Sequence, residues 1–414
     1  MTNSIGKICY NNLVKSLKGS KVLLISPSEE SSRRLWYELQ KVGKQSFIYT
    51  VTTPFPSYKT IEDGYDIAIR TGVSNIITIG SGSICDVGKG ISTMIEKNVK
   101  KVSDLDNIKK VSKSHKIPLI SIPSTISPVH TTSSWLCLHH EDDLLMPRSS
   151  SSPISDVVFD HDLIQSSSSY CKEAILGYLL ANLFDTIFAY CLNQYIHNHD
   201  ETIMREALSL KVNKYLEIIQ KTTKDTTDDL YNYSTLAIAL GKLRSDMYSS
   251  DVTQIDASRW PGIIEKACTI NFLRQDRISR PPYSWYVSAL LPTCLERINN
   301  NDHDDNEMIS SASILAFKIF SSIVDYDNIA TTINNNSKVS ISKIVALQEI
   351  DKKKYTDKGI GTSGSQLLEI AIMNAEIKEE DDDINKNTKN DPLLQLLNSD
   401  LMLDITDKVF DSSL

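Results

Sequence analysis

The sequence predicts an α/β domain with a parallel sheet over residues 1–165, followed by an all-α helical domain over residues 166–414. Three observations carry this reading. Short β-branched runs alternate with helix-length segments through the first part, the pattern of strands joined by crossover helices. A glycine-bearing turn lies between one of these runs and a helix. From about Lys172 onward the apolar spacing is helical and strand-like runs nearly vanish.

The strand-like runs are Val22-Leu23-Leu24-Ile25, Ser46-Phe47-Ile48-Tyr49, Ile76-Ile77-Thr78-Ile79, Leu119-Ile120-Ser121-Ile122 and Val157-Val158-Phe159, with helix-length segments at 31–42 and 58–71. The third run leads into Gly80-Ser81-Gly82-Ser83-Ile84-Cys85-Asp86-Val87-Gly88-Lys89. A strand feeding a glycine turn and then a helix presents free backbone N–H groups and the positive end of the helix dipole at one bend, the architecture that cradles phosphates. Glycine serves where the backbone approaches a ligand closely or takes a positive φ. With only 15 glycines in 414 residues, two of them one residue apart after a strand are informative. The alternative is an ordinary tight strand-to-helix turn. In the common dinucleotide-binding fold this turn follows the first strand; here it follows the third, so the arrangement is a different one. Asp86 and Lys89, spaced i and i+3, either pair on the helix surface or serve a ligand, Lys89 at a phosphate or substrate oxygen and Asp86 at cofactor hydroxyls. The fourth strand ends in Pro123-Ser124-Thr125, which puts hydroxyls at the carboxyl edge where open α/β sheets bind ligands. A turn held by Ser and Thr side chains is the other reading of that segment.

Serine-rich passages at 149–152 and 166–169 mark the change of character, and helices are expected over 173–194, 201–222, 228–248, 309–324 and 365–375. Residues 299–306 and 334–336, rich in Asn and Asp, read as solvated loops, and the acidic run 379–383 as a flexible one. Hydrophobic content of 41% and charged content of 23% are those of a soluble globular chain. The formal net charge of −8 argues against nucleic acid or an anionic membrane as main partner. Seven scattered cysteines without CxxC pairs read as reduced thiols. No run reaches the roughly 18 uninterrupted apolar residues of a membrane span. The first 28 residues carry lysines and no acid, a faint transit-peptide character, but lack arginine. The expected location is therefore cytoplasmic, with mitochondrial as the alternative. Two polar clusters, His139-His140-Glu141-Asp142-Asp143 and His197-Asn198-His199-Asp200, offer metal-type ligands without an i, i+4 pair, and capping or solvation explains both.

Taken together, these motifs make the chain resemble the iron-containing alcohol dehydrogenase superfamily, which shares its fold with dehydroquinate synthase, and within it most closely the maleylacetate reductase-like branch. The family's Gly-Gly-Gly-Ser-x-x-Asp-x-x-Lys corresponds to the Gly80–Lys89 segment, and its Pro-Thr-Thr to Pro123-Ser124-Thr125. Trp135 falls where the reductase branch often has Trp. Asp156-Val157-Val158-Phe159-Asp160-His161-Asp162-Leu163 resembles the family's strand ending in Asp-Pro-x-Leu. Gly262-Ile263-Ile264-Glu265-Lys266-Ala267-Cys268 aligns with the branch's Gly-Leu-His-His-Lys-Leu-Cys, and Ala289-Leu290-Leu291-Pro292 with its Val-Val-Leu-Pro.

The resemblance implies an NAD(P)-binding first domain, a helical second domain, NAD or NADP as cofactor, a small-molecule substrate and a homodimer. It carries Gly80, Gly82, Ser83, Asp86, Lys89, Ser124 and Thr125 over as cofactor contacts. It also implies a divalent metal, Fe²⁺ or Zn²⁺, held by one Asp and three His of the helical domain. Here those positions read Ala181, Asp185, Glu265 and, at or near the third His, Tyr283. Asp185 and Glu265 form with Tyr283 an oxygen-rich set suited to Mg²⁺ or Mn²⁺, or are remnants. Tyr283 is the candidate catalytic proton donor. Pro128 in the loop after Thr125 removes a backbone donor where the family keeps small residues and glycine.

Overall fold

The computed structural model describes residues 2–6, 10–52, 56–107, 116–132, 134–138, 145–149, 154–167, 170–196, 201–224, 229–248, 283–299 and 307–355. The chain divides into two compact units, Met1–Tyr170 with Leu230–Ser245, and Cys171–Asp229 with Asp246–Leu414.

In the first unit the order is β1 (Thr2–Gly6), α1 (Tyr10–Ser16), β2 (Lys21–Ser26), α2 (Glu29–Lys41), β3 (Gln45–Thr50), α3 (Tyr58–Thr71), β4 (Asn75–Gly80), α4 (Gly82–Lys97), β5 (Leu119–Pro123), β6 (Ser134–Leu138), β7 (Leu145–Ser149), β8 (Asp156–Asp160) and α5 (His161–Ser166). Six strands form one parallel sheet in the order β1-β8-β5-β4-β2-β3. All five expected strands are present. The sequence does not announce β1, whose five residues contain one large apolar side chain, Ile5, opposite Phe159 of β8. The glycine turn therefore follows the fourth strand rather than the third. A second addition is the antiparallel pair β6–β7, which runs into the serine-rich passage at Ser149.

Parallel strands are covered on both faces, and β4 is accordingly buried along its whole length. One core cluster joins Tyr10 and Val14 of α1 and Leu35 and Leu39 of α2 to Leu24, Ile77, Ile79, Ile120, Ile122 and Val158 of the sheet. Each such aliphatic side chain contributes about 1.5–3 kcal/mol by leaving water. Helix α4 is buried from Ile84 to Glu96. Its glycines explain how close it lies: a Cβ on Gly88 would overlap Thr78 Cγ2 of β4 and reach 3.0 Å from Leu119 Cδ1 of β5, and one on Gly90 would lie 2.9 Å from Ile61 of α3.

The second unit is helical: α6 (Lys172–Ile196), α7 (Glu201–Asn213), α8 (Leu216–Lys224), then, beyond α9 (Asp229–Tyr248), α10 (Tyr283–Asn299), α11 (Glu307–Val324) and α12 (Tyr326–Tyr355). Most of α9, Leu230–Ser245, counts with the first unit. No strand follows Asp160 among the described residues. Two expectations are corrected. Residues 201–222 form two helices, broken at Lys214 and Tyr215, where Tyr215 N donates back to the Val212 carbonyl. Residues 334–336 are not a loop but the solvent-facing side of α12, whose buried Ile329, Ile333, Ser337 and Ser340 keep helical spacing through the asparagines. The expected helix at 365–375, the acidic run 379–383, residues 300–306 and both histidine clusters lie outside the described residues.

Among the described helices one, over Lys172–Cys191, has the length and composition of a membrane span, and that window is entirely buried. Phe184 stacks on Phe188 and meets Phe320 of α11 edge to face. Its neighbours are other helices of the unit, the environment of a core helix.

Candidate functional site

The sheet order places a topological switch between β2 and β4. From β2 the chain moves outward to β3; from β4 it moves the other way, to β5. Crossovers leaving in opposite directions open a crevice at the carboxyl ends of these two strands, where such sheets bind ligands. The glycine turn stands at that point. Gly80 closes β4 with φ +148, a backbone that L side chains rarely adopt, and a Cβ there would lie 3.0 Å from Ile84 Cγ1 and 3.3 Å from Pro27 Cδ, just past β2. Its carbonyl accepts from Ser124 N at 2.8 Å, so the turn after β5 is tied to the glycine turn. Ser81, Gly82 and Ser83 are partly accessible, as are Ser124 and Thr125.

Among the described residues three α-helices of this unit begin behind a serine. Ser28 caps α2 by accepting from Ser31 N, and Ser57 caps α3 by accepting from Thr60 N. Ser81, at the same position before α4, makes no side-chain cap bond. The first N–H groups of α4, on Gly82, Ser83 and Ile84, thus receive no bond from the Ser81 hydroxyl and form the positive end of the helix dipole.

Asp86 and Lys89 are brought together, but inside the protein, not on the helix surface. Lys89 is 1% exposed; its Nζ donates to Asp86 Oδ1 at 3.2 Å and to the Val129 carbonyl at 2.7 Å. Val129 belongs to the loop after β5, where Pro128 opens a short 3-10 turn, Pro128–Thr131. There the missing N–H of proline costs nothing. Ser127 Oγ accepts from Val129 N at 3.3 Å, and Thr132 Oγ1 donates to the Val129 carbonyl at 3.2 Å.

Sequence reasoning missed His130. The imidazole is fully buried, with Nδ1 3.0 Å from Ser121 Oγ of β5 and no hydrogen-bond partner at Nε2. Burial first, and the Lys89 charge second, push its pKa down to about 3, so the ring is neutral. Cys85 shares the Ser121 hydroxyl, and burial raises its thiol pKa against the smaller pull of Lys89. Also missed was the pairing of Tyr10 with Asp160: the phenol donates to Asp160 Oδ2 at 2.7 Å, while Oδ1 accepts from Asp162 N to cap α5. Only the acidic residue at the end of a strand signalled that contact in the sequence.

Residues 5–160 match the family model of the iron-containing alcohol dehydrogenases. The matched segment holds the entire switch-point crevice. No curated protein sequence matches the chain. Among solved structures, a variant of the archaeal halo-thermophilic Red Sea brine pool alcohol dehydrogenase ADH/D1 is similar over 100% of this chain and 97% of its own, with TM-score 0.59 and 15% identity. A 1,3-propanediol oxidoreductase is similar over 99% and 98%, with TM-score 0.56 and 14% identity. A sulfoacetaldehyde reductase from Bifidobacterium kashiwanohense, solved in complex with NAD+, is similar over 90% of each chain, with TM-score 0.54 and 16% identity. At such identities the likeness is one of fold: a parallel-sheet α/β region followed by a helical region.

Of the positions that the resemblance sets against metal ligands, two have their side chains among the described residues. Ala181 and Asp185 are both buried on α6. Glu265 lies outside the described residues, and Tyr283 opens α10 with its side chain outside them. Among the described residues no group of three His, Cys, Asp or Glu comes together. Asp185 is the one carboxylate of that set whose side chain is described, and alone it offers too few ligands for a divalent ion.

Proposed function

We propose that the chain is an NAD(P)-dependent oxidoreductase of the iron-type alcohol dehydrogenase kind, closest in motif to the maleylacetate reductase-like branch. Hydride would pass between the nicotinamide and a small alcohol, carbonyl or unsaturated keto-acid substrate. One observation carries the cofactor half: the uncapped start of α4 at the switch point, where the other two serine-headed α-helices described in this unit are capped. The donors offered there suit a pyrophosphate. In this reading Gly80 and Gly82 let the backbone approach the phosphates. The N–H groups of Gly82, Ser83 and Ile84 donate to them, and Ser124 and Thr125 supply hydroxyls from the adjoining turn. When bound, NAD or NADP supplies the nicotinamide carbon that gives or takes the hydride. Tyr283 is the proposed proton donor, a role open to a phenol held near the reacting oxygen.

Calorimetric titration with NADH and NADPH, run beside turnover on a panel of aldehydes and keto acids and metal analysis of the purified protein, tests this. Saturable binding of one dinucleotide with measurable turnover is the expected result. Binding without turnover, whatever divalent metal is added, overturns the oxidoreductase reading and leaves a nucleotide-binding protein that has lost its chemistry. The buried alanine at position 181, where the family pattern has its Asp ligand, is the observation on that side. Absence of binding overturns both readings.

A further inference from the structure

Lys89 carries a charge into the wall beside the cofactor crevice, yet its ammonium is spent on protein. Its Nζ reaches Asp86 on its own helix and the carbonyl of Val129 on the loop after β5, and only 1% of the residue is exposed. Val129 is where that contact leads. Its Cγ1 lies 2.9 Å from the point a Cβ on Gly82 would occupy, so its methyls pack on the first residue of α4, at the end that offers its N–H groups. The same carbonyl accepts from Thr132 Oγ1, and the Val129 N–H is held by Ser127 Oγ. The next residue, His130, anchors the loop from below through Ser121. On the other side, Gly241 of α9 packs on Thr131 and on the Pro128 carbonyl.

We propose that Lys89 is a positioning residue that acts through Val129: it seats the 127–132 loop against Gly82 and so fixes the wall of the dinucleotide cradle, rather than touching a phosphate itself. The proposal rests on the cofactor reading given above. A charge-assisted hydrogen bond to a backbone carbonyl holds a loop more firmly than a neutral one. The Asp86 carboxylate compensates the charge that burial would otherwise make costly.

The test uses the full chain with Lys89→Met and Lys89→Arg. In the protein without cofactor, hydrogen–deuterium exchange at the amides of residues 129–132 should rise at least about tenfold in Lys89→Met, while peptides of β2 and α2 stay unchanged. Lys89→Arg should restore most of the protection. NADH affinity should fall in Lys89→Met with its dependence on sodium chloride unaltered, because no ammonium–phosphate contact was there to be screened. Unchanged loop exchange, or a shallower salt dependence of binding, overturns the proposal, the latter being the mark of a direct phosphate contact. If Lys89→Met does not fold, the double variant Asp86→Asn, Lys89→Met removes both charges and takes the same measurements. Failure of the wild type to bind either dinucleotide would count against the cofactor reading alone, since loop exchange in the unliganded protein still decides whether Lys89 holds Val129.

Discussion

Helices α2 and α3 differ from α4 in what their leading serines do. All three start beyond the carboxyl ends of strands in one sheet, and all three have Ser at the N-cap position. Ser28 and Ser57 turn their hydroxyls onto the first turn and satisfy an orphan N–H, which also reduces the local appetite for an anion. Ser81 does not. Behind it the chain invests in other features: a glycine at positive φ, a helix buried from Ile84 to Glu96, and a buried cation holding a neighbouring loop. Residue type at a cap is thus a poor guide to its role. The bond it makes, or leaves unmade, separates a capped helix end from one whose first N–H groups lack that partner.

The comparison can be broken most severely at Gly80. Gly80→Val forces a β-branched side chain into a φ of +148 and against Ile84 and Pro27. Strain and overpacking together should cost about 3 kcal/mol, and dinucleotide binding should fall below detection. Urea denaturation and calorimetry would measure the two; a Val variant that binds as wild type would show that no dinucleotide lies against Gly80.

Acid should act next most strongly, through His130 beside α4. His130 stays neutral in the folded protein with its pKa down at about 3, while in the unfolded chain it takes up a proton near the ordinary value. The unfolded state therefore binds more protons between those limits. Stability attributable to His130 is fully present above about pH 6.5 and is lost as pH falls below it, by about 2 kcal/mol at pH 5. Its ionisable neighbours are Lys89 and Cys85, with Asp86 beside them. The denaturation midpoint followed from pH 7 to pH 5 in wild type and His130→Gln checks this; equal slopes would refute it.

The smallest effects sharpen the comparison best. Ser28→Ala and Ser57→Ala should each cost about 1 kcal/mol of stability and leave dinucleotide affinity alone. Ser81→Ala should cost no more than about 0.3 kcal/mol, there being no cap bond to lose. A Ser81→Ala loss as large as the other two would show that the three ends are equivalent after all.

How much of this was legible beforehand follows from the range of the interactions. The runs at 22–25, 76–79 and 119–122 announce their strands because burial on both faces requires continuous apolar residues. The glycine turn and Pro123-Ser124-Thr125 are local patterns and were readable too. Strand β1 was not, since Thr2–Gly6 is a strand by virtue of pairing with β8, some 150 residues away, as its Ile5–Phe159 register shows. The i, i+3 spacing of Asp86 and Lys89 was visible, but not their burial. That depends on a backbone carbonyl at Val129, 40 residues on, and a carbonyl leaves no trace in side-chain identity. His130 was passed over for the same reason: nothing adjacent in sequence announces Ser121 as its partner. Asn334-Asn335-Asn336 reads as a loop on composition alone, and only the buried Ile329, Ile333, Ser337 and Ser340 on either side show that the helix runs through it.

Helix α9 gives the first unit an unusual timetable. Residues 1–170 leave the ribosome earlier, yet the helix that packs on Thr131 and Pro128 through Gly241 arrives only with residues 230–245, after α6, α7 and α8 have been made. The sheet can assemble early, as domains that emerge ahead of the rest of a chain commonly do. The loop beside the crevice lacks one of its supports until three helices of the other unit are already out. A fragment cut at the apparent boundary near residue 170 would be missing part of its own interior.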